Sequence, residues 1–337
     1  MSMFGIAGNS AASGLAPYAV DNSLRLNDND SAYLVRTFAA EATRKEIVFS
    51  GWLKRGNAGT DQYIFSTTGP SDAILFRSTD VLRVYLGGAV ASDLQTTRKF
   101  RDPHSWYHIV VSIDTSQATA ADRVKLWVNG VQETDFGTAS YPSLNYTIAG
   151  WMTVTSHWLS GIAASSFYDG YMSQVVIATA LSIQQGDFAI TDFGEFDVNG
   201  VWRPVDVSGL TVGTEGGIYD FAVAPGTGNG AGTDVSGNGN HFTDTNLTAA
   251  DQVTDTPTLN YCTFTPLNVG QTAGGVLANG NLDLSSSGYS NFKASQTITA
   301  GMKSYWEITV SAADAAYPMI GVDLANAALP AAGGNVY

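Results

Sequence analysis

The chain has 337 residues, 44% of them hydrophobic and 11% aromatic against only 14% charged, which excludes general disorder and allows a core without disulfides or metals. Its 16 basic and 30 acidic residues give a net charge of −14, which repels polyanions and excludes nucleic-acid binding as a main function. One cysteine, Cys262, excludes an internal disulfide framework. No apolar run approaches the roughly 18 residues of a membrane helix, so no membrane insertion is expected. The first residues, Met1 to Gly14, lack a basic region before an apolar stretch, so no secretory signal is expected in the chain.

Residues 1–27 are small and polar without a helical period, and read as an N-terminal arm or attachment segment. Residues 28–190 carry strand patterns. Over 106–114, Tyr107, Ile109, Val111 and Ile113 share one face while His108, Ser112 and Asp114 share the other, the period-2 mark of a half-buried strand. Val124, Leu126 and Val128 repeat the pattern, and Asn129-Gly130 then predicts a tight hairpin into Val131. Further strands are expected at 46–54, 62–66, 73–77, 81–86 and 171–178, with single helical turns near 119–122 and 182–188. The expected fold class is an all-β, antiparallel β-sandwich.

Residues 191–265 are rich in Gly, Asn, Asp and Pro, which mark turns and irregular loops. Phe193, Phe196, Trp202, Tyr219 and Phe221 are interspersed, and a free linker would not carry them. This stretch therefore reads as an excursion packed onto a domain. Strand signals return over 266–337, at 277–284, 304–310 and 319–323. That region is too short to close a separate sandwich, so it reads as the start of a second one within a longer parent protein.

Three motifs carry a resemblance. Trp106-Tyr107-His108-Ile109, then Leu126-Trp127-Val128-Asn129-Gly130, then Tyr168-Asp169-Gly170-Tyr171-Met172-Ser173-Gln174-Val175 resemble, in order, the laminin-G-like (concanavalin-A-like) jelly roll. Asp192-Phe193-Gly194-Glu195-Phe196-Asp197, Gly200-Val201-Trp202-Arg203-Pro204 and the stretch from Asp234 to Phe242 resemble a connector in structural proteins of tailed phages. Asn279-Gly280-Asn281-Leu282 and Lys303-Ser304-Tyr305-Trp306-Glu307-Ile308-Thr309-Val310 look like the opening of a SPRY-type sandwich. The resemblance implies a jelly-roll sandwich followed by an incomplete SPRY-like region, as in tail-fibre or other virion-surface proteins.

Candidate chemistry is sparse. Glycan-cleaving members of such folds use closely spaced carboxylates on one strand face. The nearest pairs, Glu133/Asp135 and Glu195/Asp197, lack a third acid and read as solvated loop acids, so no catalytic residue is assigned. His104 and His108 have no accompanying Glu or Cys pattern and read as satisfied histidines beside Trp106, not as zinc ligands. Cys262 reads as a small buried residue. Asp28, Asp30 and Asp234 sit in Asp/Asn-rich turns that could offer oxygens to calcium, the one cofactor worth weighing, although turn chemistry explains them as well. Trp151, Trp158 and Tyr168, with Asp169 as a polar partner and Phe167 nearby, lie near predicted loops, where sugar sites use aromatic faces and polar rims.

The expected function is a non-enzymatic virion structural protein, in the proximal part of a tail fibre or a related host-recognition adhesin. Its expected partners are other virion proteins, further copies of itself (a trimer) and a host cell-surface glycan. The alternatives are a capsid decoration protein on the head, or a secreted lectin or glycan hydrolase.

Overall fold

The computed structural model describes residues 18–39, 43–68, 72–270, 275–286, 291–296, 305 and 307–310. In chain order the first strands are β1 (Ser23–Leu26), β2 (Tyr33–Thr37), β3 (Glu46–Arg55), β4 (Gln62–Thr67), β5 (Ala73–Phe76) and β6 (Val81–Leu86). There follow β7 (Ser92–Lys99), β8 (Tyr107–Asp114), β9 (Val124–Val128), β10 (Val131–Glu133), β11 (Phe136–Ser140), β12 (Ser156–Leu159) and β13 (Gly170–Thr179). Five shorter strands come next: β14 (Glu195–Phe196), β15 (Trp202–Arg203), β16 (Gly217–Tyr219), β17 (Thr243–Thr245) and β18 (Gln252–Val253). The last are β19 (Phe264–Gly270), β20 (Gly275–Ala278), β21 (Asp283–Ser286) and β22 (Asn291–Ala294). Among the described residues every helical segment is a short 3₁₀ turn.

Two eight-stranded antiparallel sheets face each other as a jelly-roll sandwich. One runs β10-β9-β8-β3-β13-β1-β18, with β16 also paired to β13; the other runs β11-β7-β6-β5-β4-β12-β2-β17. Their facing sides interlock Phe49, Leu53, Ile109, Val111, Leu126 and Ile177 with Leu34, Phe65, Phe76, Val84, Leu94 and Leu159. The period-2 alternation of each strand produces this core, because one residue in two points inward. The strands expected within 28–190 are present, with ends moved by no more than one residue. Asn129 and Gly130 take positive φ (48° and 75°), which the tight β9–β10 hairpin requires.

Four expectations are corrected. The 106–114 strand is not half-buried: β8 is covered on both faces, because Phe188, Phe193, Val207, Val212 and Ile218 pack onto Val48, Val110, Trp127 and Val176 of the outer side. The arm read over 1–27 already contains β1, whose Leu24 pairs with Met172. The 191–265 stretch is part of the sandwich itself, since it supplies β16, β17 and β18 to the two sheets. The single strand expected at 277–284 is a hairpin, β20–β21, because Asn279, Gly280 and Asn281 turn the chain with φ of 53°, 61° and 64°. Of the SPRY-like run 304–310, Tyr305 and 307–310 are described and carry no strand pairing; the expected strand at 319–323 lies outside the described residues.

A bulge in β13 lets one strand edge serve two partners. Its register with β3 shifts between Ser173 and Val176, where Gln174 takes a positive φ of 44°. On the other edge, residues before the bulge pair with β1 and residues after it pair with β16.

Candidate functional site

The turns at one end of the sandwich frame a cleft of about 310 Å³. Asp28 and Asn29, ahead of β2, form one side, with Gly56 and Asn57, just after β3, and Asp169, ahead of β13, on the others. Val276, Leu277 and Asn281 from the β20–β21 hairpin close the cleft together with Pro266 and Phe292. The walls are thus carboxylate and amide on one side and apolar on the other.

Each polar wall is fixed by its own bonds. The Asn27 side chain accepts from the Asn29 N–H (3.2 Å), which holds the turn carrying Asp28. Asn57 Nδ2 donates to Asp28 (3.1 Å), and Gln62 donates to Asn57 Oδ1. Asn281 Nδ2 donates to the Gly56 carbonyl (2.7 Å), and the Tyr171 hydroxyl donates to the Gly280 carbonyl (2.9 Å), so the hairpin is pinned to the sandwich. Gly56 makes room for the carboxylate: a Cβ there would stand 2.3 Å from Asp169 Oδ2 and displace it. The 56–59 loop is braced by Asp80, which accepts from the Gly59 N–H (3.0 Å) and pairs with Arg55 and Arg101.

Asp169 is 7% exposed. Burial and then the neighbouring Asp28 carboxylate push its carboxyl up to about 7, against the pull of the Asp28 N–H and Arg55. A proton, a cation or a ligand hydroxyl would each relieve that crowding of negative charge.

The other sequence candidates are dispersed. Trp151 is 1% exposed and stacked on Phe65 (5.4 Å, 5°), and Tyr168 is sealed in the same core. A ring at that depth has no face for a sugar, so both are corrected from rim to core. Trp151 is held there by Asp72, a buried carboxylate that accepts the N–H groups of Gly87, Gly150 and Trp151, each at 2.7 Å. Trp158 is half-buried on the outer side of the second sheet, tilted on Tyr33 (4.7 Å), which stacks on Phe167 (6.0 Å). The Trp158 indole N–H has no hydrogen-bond partner among the described residues.

Asp30 is exposed and receives the Asn27 amide (2.9 Å). Asp234 is corrected as a calcium candidate, because its two oxygens are occupied by the N–H groups of Ile218, Ser236 and Asn240. Burial raises its carboxyl, but those donors outweigh it and leave the group below its ordinary value. Glu133 pairs with Arg98 (2.8 Å), and Asp197 caps its own hairpin and pairs with Arg203, so neither acid pair faces the cleft.

His108 is fully buried and falls to about 3 through burial alone. Its Nδ1 accepts from Trp202 (3.0 Å), so Nε2 carries the hydrogen toward Ser50 (2.9 Å). Among the described residues no three His, Cys, Asp or Glu side chains gather as a metal site. Of the calcium candidates only Asp28 lines the cleft, where it meets Asp169, the acid singled out as a ligand partner; calcium's remaining oxygens, about six to eight in all, would have to come from amides and carbonyls.

A laminin G-type family model, for the concanavalin A-like lectin/glucanases superfamily, matches residues 27–185. That segment is a concanavalin A-like, laminin G-type jelly roll. Similar solved structures include a heptameric SAP-like pentraxin from Limulus polyphemus, 13% identical, with 49% of this chain and 80% of that one covered at a TM-score of 0.36. Another is a carbohydrate binding protein from Bacteroides ovatus, 16% identical, with 60% of this chain and 56% of that one covered at 0.38. A third is domain 4 of an extracellular arabinanase from Geobacillus stearothermophilus in complex with arabinotriose, 18% identical, covering 45% and 67% at 0.32. Likeness this distant assigns no ligand. No curated protein matches the chain in sequence.

Proposed function

We propose that the chain is a non-catalytic glycan-binding sandwich whose ligand enters the cleft between Asp28, Asn57, Asp169 and the β20–β21 hairpin. The observation that carries this reading is the cleft's division into a carboxylate-and-amide side and an apolar side of Val276, Leu277 and Phe292. Sugars present the same division, hydroxyls at the edge and C–H groups on the face. Tyr33, Trp158 and Phe167, close in sequence to Asp28 and Asp169, offer aromatic surface to an extended chain. Calcium bridging between Asp28, Asp169 and sugar hydroxyls belongs to the same reading.

The wider role we propose is adhesion at a virion surface, as part of a trimeric tail fibre of a tailed phage. The sequence resemblance of 192–204 and 234–242 to segments of tailed-phage structural proteins supports it. Immunolabelling of virions separates tail from head, and light scattering of the purified chain reads the trimer.

The binding test is a neutral-glycan array followed by calorimetry on the best hit, with and without chelator. Val276→Asp and Asn29→Ala should each lower affinity at least about tenfold, the weight of one lost buried contact or hydrogen bond. Unchanged affinity in both variants overturns the cleft as the site. Release of shortened oligosaccharide overturns the non-catalytic assignment.

A further inference from the structure

Lys54 lies near the end of β3 on the outer side of its sheet, and its side chain is 1% exposed. The chain between β18 and β19 crosses over it. Its Nζ donates to Asp255 Oδ2 (2.8 Å), Asn260 Oδ1 (2.8 Å) and the Tyr261 carbonyl (3.3 Å), and stands 5.4 Å over the Tyr171 ring. Asp255 is 4% exposed. Its other oxygen accepts the Trp106 indole N–H (3.2 Å) and the Tyr261 N–H (3.4 Å). Asn260 donates through Nδ2 to the His104 carbonyl (2.7 Å), which orients its amide, while the residue itself reaches solvent.

A buried amine, an amide whose oxygen it already contacts and a buried carboxyl touching the same amine are the parts of an amide exchange. We propose that Lys54 and Asn260 join in an intramolecular isopeptide bond, with Asp255 as the proton relay. Asp255 takes a proton from the Lys54 ammonium, leaving a neutral amine. The Nζ lone pair attacks Asn260 Cγ, the carbon bearing the oxygen it contacts. A second Nζ proton reaches Nδ2 through the same carboxyl, the Cγ–Nδ2 bond breaks, and ammonia leaves on the solvent side of Asn260. Ammonia takes up the first proton as ammonium and Asp255 returns to carboxylate. One C–N bond forms and one breaks, with no change of oxidation state.

Desolvation favours the proton transfer that starts the sequence, since a neutral pair replaces two buried charges. Burial raises the Asp255 carboxyl despite the donors around it, which makes it a readier base. The product would tie the segment after β18 to β3 and close a loop around most of the chain, a cross-link available to a protein with one cysteine.

The test is the intact mass of the purified full chain, followed by peptide mapping. The expected mass is one ammonia below that of the sequence, with a branched peptide joining Lys54 to Asn260. Asn260→Ala and Asp255→Ala should both return to the full mass of their sequences. Asn260→Ala alters a solvent-facing side chain, and the wild-type map decides alone if Asp255→Ala does not fold. A wild-type chain at full mass after prolonged incubation overturns the proposal. So does an ammonia deficit that maps to an Asn-Gly turn, or a water deficit that maps to a Lys54–Asp255 link.

Discussion

Three buried aspartates with the same side chain hold three different jobs because their neighbours differ. Asp72 faces three backbone N–H groups and fastens loops, Asp255 faces a lysine, and Asp169 faces another carboxylate. Only the last is left with an unmatched charge. Its folded value of about 7 lies above the roughly 3.9 of an unfolded aspartate. Below both values the group is protonated in either state and adds nothing to the pH dependence. Between them only the native state holds the proton, so stability falls as pH rises and levels off once pH has passed about 7. Asp169→Asn should therefore melt several degrees above wild type near pH 8 and close to it near pH 4, read by calorimetry across that range. Parallel melting curves would remove the charge crowding from the account. Asp28 and Asp169 could each be singled out in the sequence, as a turn acid and as a residue beside an aromatic. Their meeting could not, because it depends on β1 pairing with β13 across most of the domain.

At the level of elements, legibility followed burial pattern. β3, β8, β9 and β13 are central strands rich in branched and aromatic residues, and alternation marks them closely. β7 (SDLQTTRK) and β11 (FGTAS) carry too few apolar residues to show a period, and they form one margin of the second sheet. What alternation misjudged was the outer side of the first sheet. His108 and Ser112 look solvent-facing, yet they are buried with partners from 181–203, in Trp202 and Gln184. The family match ends at 185, before Phe188, Phe193, Val207, Val212 and Ile218, the buried apolar residues that pack onto this side. A chain ending at 190 would lose Phe193, Val207, Val212 and Ile218 and uncover the contiguous apolar face of Val48, Val110, Trp127 and Val176, the kind of patch that drives association. It should aggregate or bind a hydrophobic dye such as ANS, whereas a chain ending at 263 should melt cooperatively. A soluble 1–190 chain with the full-length melting temperature would refute the covering role.

The whole molecule presents 30 acidic against 16 basic residues, and several of the basic ones are spent inside. Lys54 and Arg55 are buried, and Arg25, Arg36 and Arg83 are paired to acids. The field that an approaching ligand meets is accordingly negative, with Asp28 and Asp169 at the cleft adding to it. A neutral oligosaccharide feels none of this, so its affinity should stay flat as salt rises. An anionic polysaccharide is repelled over a distance set by the Debye length, about 30 Å at 0.01 M ionic strength and about 3 Å at 1 M. Its retention in affinity electrophoresis should be weak at low salt and increase as salt screens the repulsion, unless a divalent cation is supplied to bridge the two. Asp28→Asn should raise the low-salt affinity for the anionic ligand, because it removes one of the charges nearest the bound position. Tight low-salt binding to an anionic glycan in chelator would mean that a local cationic surface outweighs the net charge. The cleft would then be the wrong place to look for the ligand.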